Sequence, residues 1–338
     1  MNKKLIIFGP WCGEFSYELS WWNPECRELR KTKYKDYDAV HIGFNGRKVM
    51  YKDFVDGYIP YPKELDDTLI YPATYGEHRN GADIIPDNIS EFVNGIIGRY
   101  EEEYDIVEIH KPGDIPITRG RCLEDYPFGD YRHYKIDDKI QNEVNEKLSN
   151  YFNNDKDTIA IMARIRARYR DRTDLEVVRS GVNDYLDWNP DNWYTFIEKL
   201  INELNVNIVM IGLKFDEENS PGRGGSITFD NNKNIMNWVF EGEDSLEYQL
   251  ALLKATNCSI YGASGSAVLP FFVKGITTFT QQTKEEGFRL KLGWERDLTD
   301  NLKRVKVFDK YKNWDIYNSP VEELFEEFSI FYNELKGK

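Results

Sequence analysis

Short apolar runs alternate with longer amphipathic segments along most of the 338-residue chain. Runs of about five apolar residues that end at Gly, Pro or Asp indicate buried strands, and apolar residues three or four positions apart indicate helices. In the first half this pattern predicts strands at 5–9, 38–44 and 105–109, and helices at 15–33 and 88–104. Between them, 51–87 is dense in Tyr, Pro, Gly and Asp, which favours loops and short turns.

The same alternation continues after a helical segment at 137–153 and a polar stretch at 153–157. Strands are predicted at 158–163, 206–212 and 258–261, and helices at 191–204, 245–256, 267–274 and 321–335. Strands that alternate with helices predict parallel sheets covered by helices on both faces, so the fold class is α/β with two Rossmann-like domains. We expect a first domain at 1–150, a second at 151–316, and a terminal helical segment at 317–338 that can pack back toward the first domain.

Composition narrows the class of protein. Apolar residues make up 41% of the chain and charged residues 30%, which is typical of a folded protein with a sizeable core. The formal net charge of −14 means that any polyanion must bind at a local basic patch. The four cysteines and four histidines are scattered, so neither a disulfide framework nor a metal cluster is expected. The N-terminal apolar run is too short for a signal or a membrane span, so we expect a cytoplasmic protein without integral membrane association.

The first candidate for chemistry follows the first predicted strand. Gly9 and Gly13 permit a tight backbone path there, and Glu14 follows directly. Because ligands of parallel sheets gather at the carboxyl ends of the strands, Glu14 is placed to act as a general base on an acceptor hydroxyl. The alternative is that Glu14 or Glu18 only caps a helix N-terminus, where negative charge is favourable.

The second candidate is the segment 164–172, which holds five arginines and one aspartate in a protein of net negative charge. Alternation by two would place all the guanidinium groups on one side of an extended segment directly after a buried strand. Arginine side chains bind phosphate oxygens in a bidentate manner, so a diphosphate or a nucleic-acid backbone is the expected partner. A charged edge strand or a loop paired with nearby acids is the alternative.

The third candidate is the small-residue turn from Tyr261 to Pro270, which lies between a short strand and a helix. Such a turn exposes backbone N–H groups at a helix N-terminus, and these groups bind anions. Ser264 and Ser266 add hydroxyl donors on either side of Gly265. Together with the arginine segment, the turn predicts a second contact to one phosphate group.

Several segments, in order along the chain, resemble the heptosyltransferase-type branch of the GT-B glycosyltransferases. They are 13–30, 188–200 with 206–212, and 244–255 with 261–270. The arginine segment is also similar to the phosphate-binding loop of fucosyltransferases. The resemblance implies two Rossmann-like β/α/β domains that face a central cleft, a nucleotide-sugar donor, and catalysis without a bound metal or other cofactor.

The resemblance also implies roles for individual residues. Glu14 falls at the position of the acidic catalytic base, where the family more often has Asp. The resemblance places Ser264, Gly265 and Ser266 on the donor-phosphate turn and Glu247 at the nucleotide. With the arginine segment and the glycine that closes the strand at 206–212, the expected donor contacts also include Arg164, Arg166, Arg168 and Gly212. In the first domain we expect acceptor contacts at Trp11, Tyr17, Asn45 and Arg47.

We therefore expect an inverting, metal-independent glycosyltransferase that moves a hexosyl or heptosyl group to an acceptor hydroxyl. Two alternatives stay open at this point. One is a glycosyltransferase that acts on modified bases of DNA, with the arginines on the DNA backbone. The other is a catalytically inactive protein that binds a nucleotide or a glycan.

Overall fold

A computed structural model describes most of the chain as two compact units. The described residues are 3–13, 15, 18–68, 85–112, 133–153, 155–165, 188–212, 225–238, 240, 242–262, 265–282, 304–311 and 319–337. The first unit comprises Met1–Lys135 together with Glu241–Glu247, and the second comprises Ile136–Phe240 together with Tyr248–Lys338. The first unit is therefore built from two separate stretches of sequence.

The first unit contains a parallel sheet of four strands in the order β3-β2-β1-β4. The strands are β1 (Lys4–Phe8), β2 (Asp38–Gly43), β3 (Gly57–Pro60) and β4 (Ile106–His110). Its helices are α1 (Asn23–Lys31), α2 (Lys63–Thr68) and α3 (Asp87–Glu101), with a π-helical turn at Glu18–Trp22 and a 3-10 turn at Lys48–Met50. Leu5 to Phe8 are fully buried because β1 lies in the middle of the sheet and is covered on both faces.

The second unit contains a parallel sheet of six strands. The helices and strands, in chain order, are α4 (Asp138–Phe152), β5 (Thr158–Met162), β6 (Arg164–Ile165), α5 (Pro190–Glu203), β7 (Asn207–Ile211), β8 (Gly225–Ser226), β9 (Ile235–Trp238), α6 (Ser245–Ala255), β10 (Cys258–Tyr261), a 3-10 helix (Gly265–Phe272), β11 (Thr277–Gln281), β12 (Arg304–Phe308) and α7 (Val321–Leu335). The six-stranded order is β12-β11-β10-β5-β7-β9, and β6 pairs with β8 in an antiparallel ribbon.

The core of the second unit is rich in aromatic side chains. Phe196 on α5 contacts Phe328 on α7 with ring centroids 6.3 Å apart, and Phe328 contacts Phe279 on β11 at 5.3 Å. Both contacts are edge-to-face, an arrangement that adds to the free energy gained by burying the rings. The terminal helix α7 is thus an integral part of the second unit.

The predicted α/β class and the alternation of strands and helices are confirmed. The predicted helix at 15–33 is a π-helical turn followed by α1, which begins one residue before Pro24 because proline fits the first turn of a helix. The predicted helix at 267–274 is instead a 3-10 helix at Gly265–Phe272. Pro270 lies inside it and supplies no N–H for a helical hydrogen bond.

Candidate functional site

The chain turns sharply at the carboxyl edge of the first sheet. Gly9 follows β1 with φ +113°, a conformation that side chains rarely adopt, and a Cβ there would lie 2.5 Å from the carbonyl oxygen of Ile42. The N–H of Gly9 donates to the carbonyl oxygen of His110 at 2.9 Å, and the N–H of Trp11 donates to the carbonyl oxygen of Ile42 at 3.3 Å. The turn therefore carries 10–13 across the ends of β2 and β4. Glu14, the expected catalytic base, comes next and lies outside the described residues, as does Tyr17.

A buried carboxylate lies at the π-helical turn behind this edge. Glu18 is fully buried, and Nη1 of Arg47 donates to its Oε2 while the Tyr51 hydroxyl donates to its Oε1 at 2.8 Å. The guanidinium group of Arg47 lies over the ring of Phe44, 4.1 Å from its centroid, and over that of Phe15 at 4.9 Å. These contacts hold Arg47 in one orientation with 19% of its side chain exposed. π-turns of this kind are often found at functional sites.

Stacked rings surround this buried ion pair. Trp22 lies parallel to Trp11, with centroids 5.7 Å apart, and parallel to His110 at 5.6 Å. Its indole N–H donates to Nε2 of His41 at 3.0 Å, and His41 stacks on Tyr51. Burial, reinforced by the positive charge of Arg47, holds the pKa of His41 well below its ordinary 6.5, so the ring is neutral and can accept this hydrogen bond. Trp11, an expected acceptor contact, is fully buried within the stack.

The second sequence stretch of the first unit, Glu241–Glu247, contacts the turn at Asn45 to Arg47. The N–H of Leu246 donates to the carbonyl oxygen of Gly46 at 3.2 Å, and the side chain of Asn45 accepts from the N–H of Gly46 at 2.9 Å. Glu247 is 3% exposed and pairs with Lys52, whose Nζ lies 2.5 Å from Oε1. The structure therefore brings Glu247, an expected donor contact, into the same unit as the expected acceptor contacts Asn45 and Arg47.

In the second unit, the expected phosphate contacts follow neighbouring strands. Arg164 begins β6, one residue beyond the Ala163 that follows β5, and pairs with Ser226 in the antiparallel ribbon, while Gly212 comes directly after β7. Gly212 has φ +109°, a conformation that favours glycine, and a Cβ there would also lie 2.7 Å from Sδ of Met162. The 3-10 helix that follows β10 begins at Gly265.

The order β10-β5-β7 therefore places the backbone of Gly265, Arg164 and Gly212 beyond the carboxyl ends of three adjacent strands. Arg166, Arg168 and Ser264 lie outside the described residues, and for Ser266 the structure describes the backbone alone. Ligands of parallel α/β sheets bind at this edge.

Within the described ranges, no group of three or more His, Cys, Asp or Glu side chains has the arrangement of a metal site. No helix in the same ranges is long and apolar enough to cross a lipid bilayer.

Sequence reasoning missed the buried polar cluster of Glu18, His41 and Tyr51. One signal was present, because His41 interrupts an otherwise apolar strand and a polar residue in such a strand needs a buried partner. The partners themselves, Trp22 and Arg47, are brought close only by the packing of the π-helical turn against β2.

Comparison of the structure with solved structures identifies the fold. Over 98% of this chain and 99% of the other, it is similar to Escherichia coli ADP-heptose LPS heptosyltransferase II, with 11% identity and a TM-score of 0.50. A family 9 glycosyltransferase from Veillonella parvula DSM 2008 aligns over 96% of this chain and 95% of its own, with 10% identity and a TM-score of 0.47. No protein-family model and no curated protein sequence matches the chain.

The chain thus has the two-unit fold of the heptosyltransferase-type GT-B glycosyltransferases. The resemblance inferred from the sequence is confirmed at the level of the fold.

Proposed function

We propose that the protein is an inverting glycosyltransferase that moves a sugar from a nucleotide-sugar donor to an acceptor hydroxyl without a bound metal. The observation that carries the proposal is the fold, which is shared with heptosyltransferase II over nearly the whole length of both chains. Because one fold can serve many reactions, the assignment of roles depends on the chemistry at the two sheet edges.

The first unit would bind the acceptor and supply the base. The turn at Gly9 carries the chain across the carboxyl edge of the sheet, and Glu14 follows five residues later. Its carboxylate would remove the proton of the acceptor hydroxyl as the oxygen attacks the anomeric carbon. A single direct displacement of this kind inverts the configuration at that carbon. Arg47, fixed by Glu18 and Phe44, offers a preoriented donor for acceptor oxygens.

The second unit would bind the donor. Arg164 follows β5, with Arg166 and Arg168 next in the sequence, and the segment from Ser264 to Ser266 comes after the adjacent strand β10 in the sequence. When the bond to the anomeric carbon breaks, the departing diphosphate gains negative charge. Guanidinium groups and backbone N–H groups that are already in place stabilise this charge in the transition state.

Ligand binding tests the donor half. The full-length chain is heated with UDP, GDP, ADP, CMP and their sugar conjugates, because a ligand that binds the native state raises the melting temperature. We expect one nucleotide family to raise it, and the Arg168→Ala variant to lose most of that shift. If no nucleotide or nucleotide sugar raises the melting temperature, the proposed donor class is wrong.

Turnover tests the base. With the donor identified, Glu14→Gln should lower turnover by about 10² to 10⁴-fold because the amide cannot accept the proton. Glu28→Gln, a carboxylate on α1, is the matched control and should retain normal turnover. Normal turnover in a folded Glu14→Gln variant would exclude Glu14 as the base, and retention of configuration in the product would exclude the direct displacement.

A further inference from the structure

A groove of about 920 Å³ lies on the second unit between helix α5 and the segment that leads into the edge strand β9. This volume is at the upper end of the range of roughly 300–1,000 Å³ that is typical of small-molecule sites. The groove reaches Ile235, the first residue of β9. It therefore extends toward the amino ends of the parallel strands, whereas Arg164 and Gly212 follow the carboxyl ends.

One wall of the groove is a single face of α5. Tyr194, Glu198 and Asn202 follow one another at intervals of four residues, so their side chains project from the same side of the helix. Tyr194 is one of the most exposed large hydrophobic residues in the described part of the chain, with 39% of its surface accessible. The wall thus presents an aromatic ring, a carboxylate and an amide in a row.

The opposite wall is an irregular segment that hydrogen bonds hold in place. The N–H of Phe229 donates to Oδ1 of Asn237 at 3.1 Å, and Nδ2 of Asn237 donates back to the carbonyl oxygen of Phe229 at 2.5 Å. The single O–H of Tyr151 is shared between the carbonyl oxygens of Asn232 and Ile235, which lie 3.1 and 2.8 Å from the hydroxyl oxygen. A wall fixed before binding loses little conformational entropy when a ligand arrives.

The two walls meet through their aromatic rings. The centroids of Tyr194 and Phe229 are 4.6 Å apart with the ring planes at 68°, and Asp230 continues the wall beyond Phe229. None of the described residues that line the groove is Lys or Arg, while Glu198 and Asp230 both carry negative charge. An anionic ligand is therefore disfavoured.

From this lining we infer that the groove binds a neutral oligosaccharide at a site separate from the proposed donor site. The apolar C–H face of a sugar ring stacks on an exposed aromatic ring such as Tyr194. Sugar hydroxyls both donate and accept hydrogen bonds, and the walls offer carboxylate acceptors as well as the amide of Asn202 and the hydroxyl of Thr228. A cationic ligand would bind the carboxylate acceptors of the walls but leave the amide and hydroxyl donors without a partner in the ligand. The volume accommodates more than one ring.

The test is direct binding to the full-length chain. An array of neutral oligosaccharides identifies the best binder, which is then titrated calorimetrically against wild type and three variants. Tyr194→Ala should weaken binding by about tenfold or more, as the loss of a central tyrosine does in other binding sites. Tyr194→Phe keeps the ring and should bind within about threefold of wild type. Ile330→Ala, which truncates a 49% exposed side chain outside the groove, should bind as wild type does.

Three results would overturn the inference. One is that no neutral oligosaccharide binds; another is that affinity for the best binder is unchanged in Tyr194→Ala, which would locate the sugar elsewhere. The third is saturable binding of oligolysine with no binding of sugars, which would assign the groove to cationic ligands. Because none of these measurements requires glycosyl transfer, their outcome is independent of the proposed function.

Discussion

The Nζ atom of Lys52 lies 2.5 Å from Oε1 of Glu247 and so joins the two sequence stretches that form the first unit. Glu247 is 3% exposed, and Lys52 is 28% exposed. The ammonium group compensates the buried carboxylate for the water that it has lost. The pair therefore fixes the start of helix α6 against the turn at Gly46.

Removing the cation should destabilise the first unit. Lys52→Met leaves Glu247 buried without this partner, and we expect the free energy of unfolding to fall by about 1–3 kcal/mol. Urea-induced unfolding followed by tryptophan fluorescence measures the change. Lys199→Met is the control, because Lys199 pairs with the exposed carboxylates of Glu203 and Glu322 and should unfold close to wild type. Equal unfolding curves for the two variants would contradict the prediction.

Two glycine substitutions should act in opposite directions. Gly9→Ala places a Cβ 2.5 Å from the carbonyl oxygen of Ile42 and forces a positive φ, so we expect a loss of about 2–4 kcal/mol in the free energy of unfolding. Gly95→Ala lies within helix α3, where an added Cβ has nothing within 4 Å, and should stabilise the protein by about 0.5–1 kcal/mol. Urea unfolding of both variants measures the difference, and a stable Gly9→Ala variant would show that the turn can relax.

His41 should make the protein less stable in mild acid. Its folded-state pKa lies well below 6.5, so the unfolded chain takes up a proton below pH 6.5 that the folded chain does not bind. The stabilisation is therefore present above pH 6.5 and is lost as the pH falls, with a limiting slope of about 1.4 kcal/mol per pH unit. His41→Gln keeps an acceptor for Trp22 but cannot titrate.

The measurement is the free energy of unfolding of both proteins at several pH values from 7 down to 5. The variant should show the shallower dependence on pH. If the two slopes are identical, His41 is protonated in the folded protein as readily as in the unfolded chain.

Native thiols should react slowly. Cys12, Cys26 and Cys258 are buried, and burial raises the pKa of each thiol, to about 12 for Cys12. Because the thiolate is the reactive form, these residues should react with a disulfide reagent only when the protein unfolds. Any fast reaction in the native protein would then come from Cys122, and the Cys122→Ser variant should lack it. A fast phase that persists in this variant would contradict the burial of the other three.

The sequence is informative where local pattern and burial agree. Strands β1, β5 and β7 are continuous apolar runs that end at glycine or small residues, and these features mark both their length and their place inside a sheet. Strand β11 has the sequence Thr-Thr-Phe-Thr-Gln and is fully buried, yet its polar composition gives no such signal. Its burial follows from the two strands that flank it, which lie outside any local window.

In the candidate site too, the sequence predicts some features from local pattern, whereas others depend on the fold alone. The turns after β1 and β10 are visible in the sequence because glycine and serine mark them, and the arginine segment is visible by its charge. The pairing of Glu18 with Arg47 is not visible in the sequence, since the two residues are 29 positions apart and only the fold brings them together. The roles of all the expected site residues, from the base Glu14 to the donor and acceptor contacts, stay predictions.

The divided first unit has a consequence for biosynthesis. Its sheet is encoded entirely before residue 136, but Lys52, which follows the 3-10 turn at Lys48–Met50, meets Glu247 only after 136–240 have left the ribosome. Domains generally fold as their residues emerge. The N-terminal sheet therefore lacks the contacts made by Glu241–Glu247 until 136–240 of the other unit have been made. The last step in completing the N-terminal half is thus timed by translation of the C-terminal half.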